Sequence, residues 1–374
     1  MFIEIDESID HEIDSGCQAA IDLIDLLCTA HRMGNLILAL TRPQAVRYRQ
    51  LPAISDLSRR TASFISLRLN DYIAAMKAAS RVIRACSPTV QNNFSFSGKT
   101  CQVSYRILSQ SHILTQKFLL GEGFRDVSVL RIIASEYYAT VSYPSAYVTF
   151  RPLIGGGGSC HHALQAETAI PCKGLAICDR DAVSAVPPFK HNTTAEKVAA
   201  CTDEMSLMTH VLGVSENSPF FGFDVTWGRT IENMIGPNLL DTYFSAMNRP
   251  IERQKFTSAF PQFPQLDPAE IVLWRDLNLK DGTPSLHAQL QILRNEIGPI
   301  TASLTGRLSA ISQIALPSDT LDWIIENQVG SRFSRGVSRA LRCDLGIPAY
   351  RTGVEKFALP LLTLAAGDSS ARRS

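Results

Sequence analysis

The middle of the chain contains three apolar segments that each end in a glycine-rich or acidic turn. They read LLGEG at 119–123, PLIGGGG at 152–158 and AICDRD at 176–181, and SPFFGFDVTW at 218–227 is a fourth segment of strand type. Helical patterns separate these segments. Because strands that alternate with helices indicate βαβ units and a parallel sheet, this arrangement predicts an α/β domain over residues 113–250.

Carboxylates stand at the ends of two of these predicted strands. Glu122 follows the first strand, and Asp179 and Asp181 end the third. Functional groups of a parallel sheet gather beyond the carboxyl ends of its strands, and a spacing of two lets both aspartates point to one side. Carboxylate oxygens are the ligands that Mg²⁺ prefers. The sequence therefore predicts a site for Mg²⁺ (or Mn²⁺) at Glu122, Asp179 and Asp181.

Further polar residues accompany the predicted strand ends. Asp126 lies four residues after Glu122, where it is either another ligand or a helix-start carboxylate favoured by the helix dipole. The glycines at 155–158 would let phosphate or backbone approach closely. We interpret His161 and His162, which follow them, as substrate-facing residues that bind nucleic acid.

Cysteine usage offers a competing interpretation. The nine cysteines show no C-x-x-C spacing, which indicates reduced, cytosolic thiols. Cys160, Cys172 and Cys178 together with the neighbouring histidines would suggest zinc. However, adjacent ligands converge poorly on one ion, and structural zinc usually has two well-spaced ligand pairs. The carboxylate site is therefore the preferred interpretation.

These motifs resemble those of the TOPRIM domain. LLGEGFRDVSVL at 119–130 resembles its first motif, and AICDRD resembles its D-x-D motif. TWGRTIENMI at 226–235 resembles a further motif of the small, OLD-like TOPRIM effectors that accompany ATPases in bacterial anti-phage defence, such as the nuclease of the PARIS system. Thr226, Ile231, Glu232 and Asn233 stand at its positions. The resemblance covers residues 113–240, about the middle third of the chain.

The resemblance implies a TOPRIM-like parallel-sheet core and metal-dependent hydrolysis of phosphodiester bonds in DNA or RNA, including tRNA. It implies that Asp179 and Asp181 hold Mg²⁺ (or Mn²⁺) and that Glu122 is a ligand or general base. Asp126 and Glu232 would support the site or bind a second ion. It also implies a toxin-like antiviral effector that is controlled by an ATPase partner subunit.

Other functions remain open at this point. The main alternative is a non-catalytic TOPRIM-like scaffold that binds an ATPase or a foreign protein. A topoisomerase or primase fits less well, because neither a nucleophilic-tyrosine domain nor zinc-ribbon spacing is visible. One departure from the small nucleases concerns phosphate binding: they often have Gly-Gly-Lys after the second strand, whereas GGGGSCHH at 155–162 has no lysine. The contact would then be missing or come from His161 or His162.

The regions that flank residues 113–250 have helical patterns. Residues 1–112 are predicted to be a helical N-terminal region that ends in a loop or hairpin at 87–112, and residues 251–374 a helical C-terminal region. Within them, the helical segments 1–90 and 265–345 contain no His/Cys or carboxylate cluster with ligand spacing. We therefore interpret these two segments as surfaces for a partner subunit or for a second copy in a homodimer.

Charge and targeting features complete these expectations. The formal net charge of +1 gives no general attraction to nucleic acid, so binding must come from local clusters such as Arg332, Arg335, Arg339 and Arg342. On a helix these would form a basic stripe that grips phosphates, or a solvated face paired with acidic residues. The acidic N-terminus is unlike a signal peptide, and no long apolar run is present. We expect a cytoplasmic protein without a membrane span.

Overall fold

Two mostly parallel β-sheets organise the chain in the computed structural model. The residues that it describes are 1–79, 82–91, 94–109, 117–141, 146–148, 150–168, 174–179, 192–201, 221–225, 230–277, 279–280, 307–311, 314–329 and 332–368. Helices flank both sheets, and one cluster of buried apolar side chains includes members from each. The predicted α/β class is therefore confirmed.

The first sheet is formed by residues 2–104. Its strands are β1 (Phe2–Ile5), β2 (Ile37–Ala39), β3 (Val82–Cys86), β4 (Phe94–Ser97) and β5 (Thr100–Ser104). They lie in the order β2-β1-β3-β5-β4, and all neighbours are parallel except the β4–β5 pair. The accompanying helices are α1 (Glu7–Asp14), α2 (Gln18–Arg32), α3 (Arg42–Gln50), α4 (Asp56–Leu67), α5 (Leu69–Ala78) and α6 (Tyr105–Leu108).

This sheet corrects the prediction of a helical region over residues 1–112. The segments FIEI and VIRAC form largely buried strands, β1 and β3. A strand in the middle of a parallel sheet shows an almost continuous apolar run without period-two alternation, so the pattern does not distinguish it from a buried helix. The hairpin predicted within 87–112 is confirmed by the antiparallel β4–β5 pair.

The second sheet lies within the predicted α/β region. In chain order the strands here are β6 (Lys117–Gly121), β7 (Ala146–Val148), β8 (Phe150–Ile154), β9 (Gly174–Cys178) and β10 (Phe221–Val225). All except β7 form one parallel sheet in the order β10-β9-β6-β8. Helix α7 (Phe124–Thr140) follows β6, and α8 (Cys160–Thr168) follows β8. The ends of β6, β8 and β9 therefore meet at one edge of the sheet.

The C-terminal region is mainly helical and packs against α7. Its helices are α9 (Pro237–Ala246), α10 (Pro250–Ala259), α11 (Pro268–Asp276), α12 (Leu308–Ile311), α13 (Thr320–Glu326), α14 (Arg335–Leu345) and α15 (Pro348–Ala365). The pairs β11 (Gln328–Val329) with β12 (Arg332–Phe333), and β7 with β13 (Ala366–Asp368), are antiparallel. Tyr138 of α7 donates a hydrogen bond to the Ala358 carbonyl of α15 at 2.5 Å. Among the described residues, no helix is long and apolar enough to cross a membrane.

A buried aspartate joins α14 to the start of α9. Asp344 is fully buried. Its carboxylate accepts hydrogen bonds from the backbone N–H groups of Asn238 (2.8 Å) and Leu239 (3.0 Å) and from the Asn238 side chain (2.9 Å). It thereby supplies the helix cap that Gly236, at the N-cap position, lacks. A Cβ at Gly236 would lie 2.1 Å from the Asp344 Cγ, so the approach requires glycine.

Replacing this aspartate should destabilise the protein. In Asp344→Ala two backbone N–H groups at the start of α9 lose their acceptor in a buried place, which we expect to cost about 1–3 kcal/mol. Urea unfolding near pH 6 measures the change. The matched control is Asp14→Ala, because Asp14 is exposed and forms a surface ion pair with Arg47, a kind of pair that contributes little. Equal stability of the two variants would contradict the capping role.

The contribution of Asp344 should also depend on pH. Burial raises its pKa to about 7, against the opposing effect of its three N–H donors, whereas an unfolded aspartate titrates near about 3.9. Because folding favours the protonated form, the contribution is fully present below about pH 4 and is lost as the pH rises through 7. The loss of unfolding free energy in Asp344→Ala should therefore be larger at pH 5 than at pH 8. A loss that grows with pH would contradict the raised pKa.

Candidate functional site

Glu122 and Asp179 both stand at the carboxyl edge of the second sheet, each directly after one of two neighbouring strands. Glu122 directly follows β6 and Asp179 directly follows β9, and these strands are hydrogen-bonded parallel neighbours about 4.8 Å apart. A hydrogen bond with Cys160, burial, and the charges of Glu122 and Asp179 together raise the pKa of the Cys178 thiol well above its ordinary value. The charges of both carboxylates therefore reach the same buried thiol at the end of β9.

The glycine-rich turn after β8 closes on the end of β6. The N–H groups of Gly156 and Gly157 donate to the Glu122 carbonyl at 3.0 and 3.2 Å. Both glycines have positive φ angles, 65° and 63°, which glycine adopts without strain. A Cβ on Gly155 would lie 2.1 Å from the Sγ of Cys160. The close approach predicted for this turn is thus realised between backbone segments, and it holds Glu122 in place.

Asp126 caps the helix that follows Glu122. Its Oδ2 accepts a hydrogen bond from the Gly123 N–H at 2.7 Å, which confirms the helix-start interpretation. Burial raises the pKa of Asp126, the Gly123 N–H opposes this effect, and the charge of Glu232 raises the pKa further. Asp126 therefore lies between the end of β6 and the segment that carries Glu232.

Asn233 fixes that segment, a short 3-10 helix at Ile231–Met234. The residue is fully buried. Its Oδ1 accepts a hydrogen bond from the Thr230 N–H at 2.9 Å, and its Nδ2 donates to the carbonyls of Trp274 (2.6 Å) and Leu277 (2.9 Å) at the end of α11. The asparagine of the IENM segment is therefore a structural residue that ties the turn to α11.

Glu232 lies in this fixed turn, close to Asp126. On its C-terminal side the Tyr350 hydroxyl donates to the Met234 carbonyl at 2.5 Å, and the indole N–H of Trp274 donates to the Ile235 carbonyl at 3.1 Å. The Oε2 atom of Glu232 is buried and has no hydrogen-bond partner in the described part of the chain. A buried carboxylate oxygen without a partner is costly and points to a missing cation or donor.

Two cations lie near Asp126, and neither was identified from the sequence. The charges of Lys280 and Arg125 both lower the pKa of Asp126. Both residues are exposed, and Arg125 forms a bidentate ion pair with Asp322 at 2.7 and 2.5 Å. No local motif marks Lys280, because only the fold brings it to this edge. It is a candidate for the phosphate contact that the turn at 155–158 lacks.

The two predicted histidines begin α8, directly after the glycine-rich turn. Their rings contact each other, with centroids 3.9 Å apart. His162 is exposed. The Nδ1 atom of His161 is buried without a hydrogen-bond partner among the residues that the structure describes. The pair therefore lies at the same edge as Glu122, where its nitrogens can meet a polar ligand.

Part of the predicted site lies outside the described residues. These positions are Asp181 and Thr226, as well as the side chain of Arg332. Within the described ranges, no group of three or more His, Cys, Asp or Glu side chains is arranged to hold a metal ion. The described carboxylates therefore form an incomplete ligand set on their own.

The arginines of the predicted stripe differ in whether they form an ion pair. Arg335, Arg339 and Arg342 lie on α14 and are exposed. Arg342 donates to Glu136 of α7 at 3.2 Å, and the described residues show no ion pair for Arg335 or Arg339. One end of the stripe is thus a paired helix face, and the other end remains available to a ligand.

Removing the charge of Glu232 should stabilise the protein in the absence of divalent ions. In Glu232→Gln the amide can donate to Asp126 in place of a repelling carboxylate, and we expect the free energy of unfolding to rise by on the order of 1 kcal/mol. Urea unfolding in EDTA provides the measurement. Glu326→Gln is the matched control, because Glu326 is exposed on α13. A destabilised Glu232→Gln protein would mean that this carboxylate has a structural partner.

Comparison with known proteins does not assign the site. No family model, curated protein or solved structure matches the chain.

Proposed function

We propose that the protein is a metal-dependent nuclease that hydrolyses phosphodiester bonds in DNA or RNA, with the second sheet as a TOPRIM-like core. The observation that carries this proposal is the gathering of carboxylates at one sheet edge. Glu122 and Asp179 follow neighbouring parallel strands. The buried, unpartnered oxygen of Glu232 lies in a turn close to Asp126, which follows Glu122 by four residues.

The residues at this edge fit Mg²⁺ or Mn²⁺. All of the carboxylates offer hard oxygen ligands, which these ions prefer. The charge of Glu232 raises the pKa of Asp126, so a cation at this edge would reduce a repulsion that the protein alone contains. Asp181 would complete the ligand set. When bound, the ion would supply water activation and stabilisation of charge on the scissile phosphate.

The protein's own residues then divide the remaining tasks. Glu122 and Asp179 would hold the ion, and Asp126 keeps the start of α7 in place. Because the N–H groups of Gly156 and Gly157 already donate to Glu122, phosphate binding falls to side chains. Lys280 and His162 are the exposed cationic or polar groups suited to that task.

The wider biological role rests on the sequence resemblance. In this role the protein is an antiviral effector that is controlled by a separate ATPase, and tRNA is one of its substrates. The exposed Arg335 and Arg339 on α14 supply a basic surface that suits nucleic acid or an acidic face of such a partner.

Loss of one carboxylate should abolish cleavage. We expect Glu122→Gln and Asp179→Asn to reduce hydrolysis of mixed DNA and RNA substrates in Mg²⁺ or Mn²⁺ by at least about 100-fold, because each removes a ligand charge. EDTA should have the same effect on the unmodified protein. The assay is gel analysis of labelled DNA and RNA, with circular dichroism to check folding.

The control for this experiment is Glu326→Gln, which removes a carboxylate remote from the edge and should retain activity. Full activity of both edge variants would place the chemistry elsewhere. An unmodified protein that cleaves neither DNA nor RNA with any divalent ion would favour the non-catalytic scaffold instead.

A further inference from the structure

Two large apolar side chains are exposed beside the carboxylate edge. Phe124, the first residue of α7, is 57 % exposed, and Ile154, the last residue of β8, is 48 % exposed. Phe124 follows Glu122 by two positions, and Ile154 directly precedes the turn that closes on Glu122. An apolar side chain is therefore exposed to solvent on each of the two segments that adjoin Glu122.

The two residues belong to the same face of the sheet, the one that α7 covers. Ile154 is paired in register with Gly121 on β6, and paired residues of parallel strands project to the same side. A Cβ on Gly121 would lie 2.8 Å from Val127 of α7, so this is the face that α7 covers. Phe124 at the start of α7 and Ile154 thus border the carboxylate edge from one side, and we call them the apolar patch.

Folding alone does not explain an aromatic residue at this position. The first residue of a helix needs no apolar side chain. The apolar residues farther along α7, such as Val127, Leu130 and Ile133, are buried, whereas Phe124 is not. A single exposed hydrophobic residue is ordinary, but an exposed phenylalanine and an exposed isoleucine at the two segments that hold Glu122 form a surface suited to a ligand.

The position of the apolar patch indicates what would cover it. A phosphodiester held at Glu122 and Asp179 brings its own bases to the sides of the edge. In a duplex both faces of a base are covered by stacked neighbours, whereas an unpaired base exposes a face that an aromatic ring can stack on. His161 and His162 lie on α8, which follows β8 on the other side of the glycine turn, and they offer polar contacts to the strand that leaves the edge.

We propose that the apolar patch of Phe124 and Ile154 receives an unpaired base next to the scissile phosphate, so that the substrate is single-stranded or locally unpaired nucleic acid. This inference rests on the proposed nuclease function and specifies its substrate class. Phe124 supplies the stacking surface, and Ile154 packs against the edge of the same base.

The test is binding of labelled oligonucleotides to the full chain. Fluorescein-labelled single-stranded DNA, single-stranded RNA and a fully paired, blunt-ended duplex of the same composition are titrated, with Mg²⁺, in a Glu122→Gln background that prevents cleavage. Fluorescence anisotropy measures the affinity. Adding Phe124→Ala should weaken single-strand binding by about five-fold or more and leave duplex binding unchanged. Phe124→Trp should retain the affinity.

The control is Leu67→Ala, which removes a side chain that is 84 % exposed on α4 of the first sheet and should have no effect. Equal affinity for the single strand and the fully paired duplex, or an unchanged affinity of the Phe124→Ala protein, would overturn the inference. A change of oligomeric state in Phe124→Ala would also overturn it, because the apolar patch would then be a self-association surface. Single-strand binding that depends on Phe124, in a protein whose unmodified form cleaves nothing, would refute the nuclease function alone.

Discussion

The parallel pairing of β6 with β9 is the contact on which the candidate site depends. Glu122 and Asp179 follow different strands, and they lie at one edge because these two strands are parallel, hydrogen-bonded neighbours. The turn after β8 strengthens this arrangement, since it donates two hydrogen bonds to the Glu122 carbonyl. A shift of β6 against β9 would move the carboxylates apart, and a shift of β6 against β8 would release the glycine turn.

A gathering of like charges at this edge opposes folding, so the neighbouring segments must be held firmly. Asn233 uses its amide oxygen and nitrogen to bind Thr230, Trp274 and Leu277, and Tyr350 binds the next part of the same turn. These buried hydrogen bonds are made between neutral groups, whose net contribution is favourable when all partners are satisfied. They fix the backbone on both sides of Glu232. The Oε2 atom of its carboxylate, in contrast, has no hydrogen-bond partner in the described part of the chain.

Features that arise from neighbouring residues could be predicted from the sequence, whereas features that depend on contacts between distant segments could not. An apolar run followed by glycine and a carboxylate is a local pattern, so the ends of β6 and β9 and the helix start at Asp126 could be located from the sequence. Lys280 and the Arg342–Glu136 pair depend on contacts between distant segments, which no local spacing records. The first sheet was missed for a different reason: β1 and β3 are short and largely buried, and such runs satisfy helical spacing as well as strand spacing.

Helix α14 connects the exposed basic surface to this edge through its two ends. Arg335 and Arg339 lie in its N-terminal half, and Asp344 near its C-terminal end caps α9, which begins shortly after the Glu232 turn. Gly236 and Asp344 are in such close contact that α14 cannot slide along α9 without breaking the cap. Helix α14 therefore carries the exposed arginines at one end and, at the other, the carboxylate that fixes the start of α9, so the basic surface and the segment after the Glu232 turn both depend on the position of this helix.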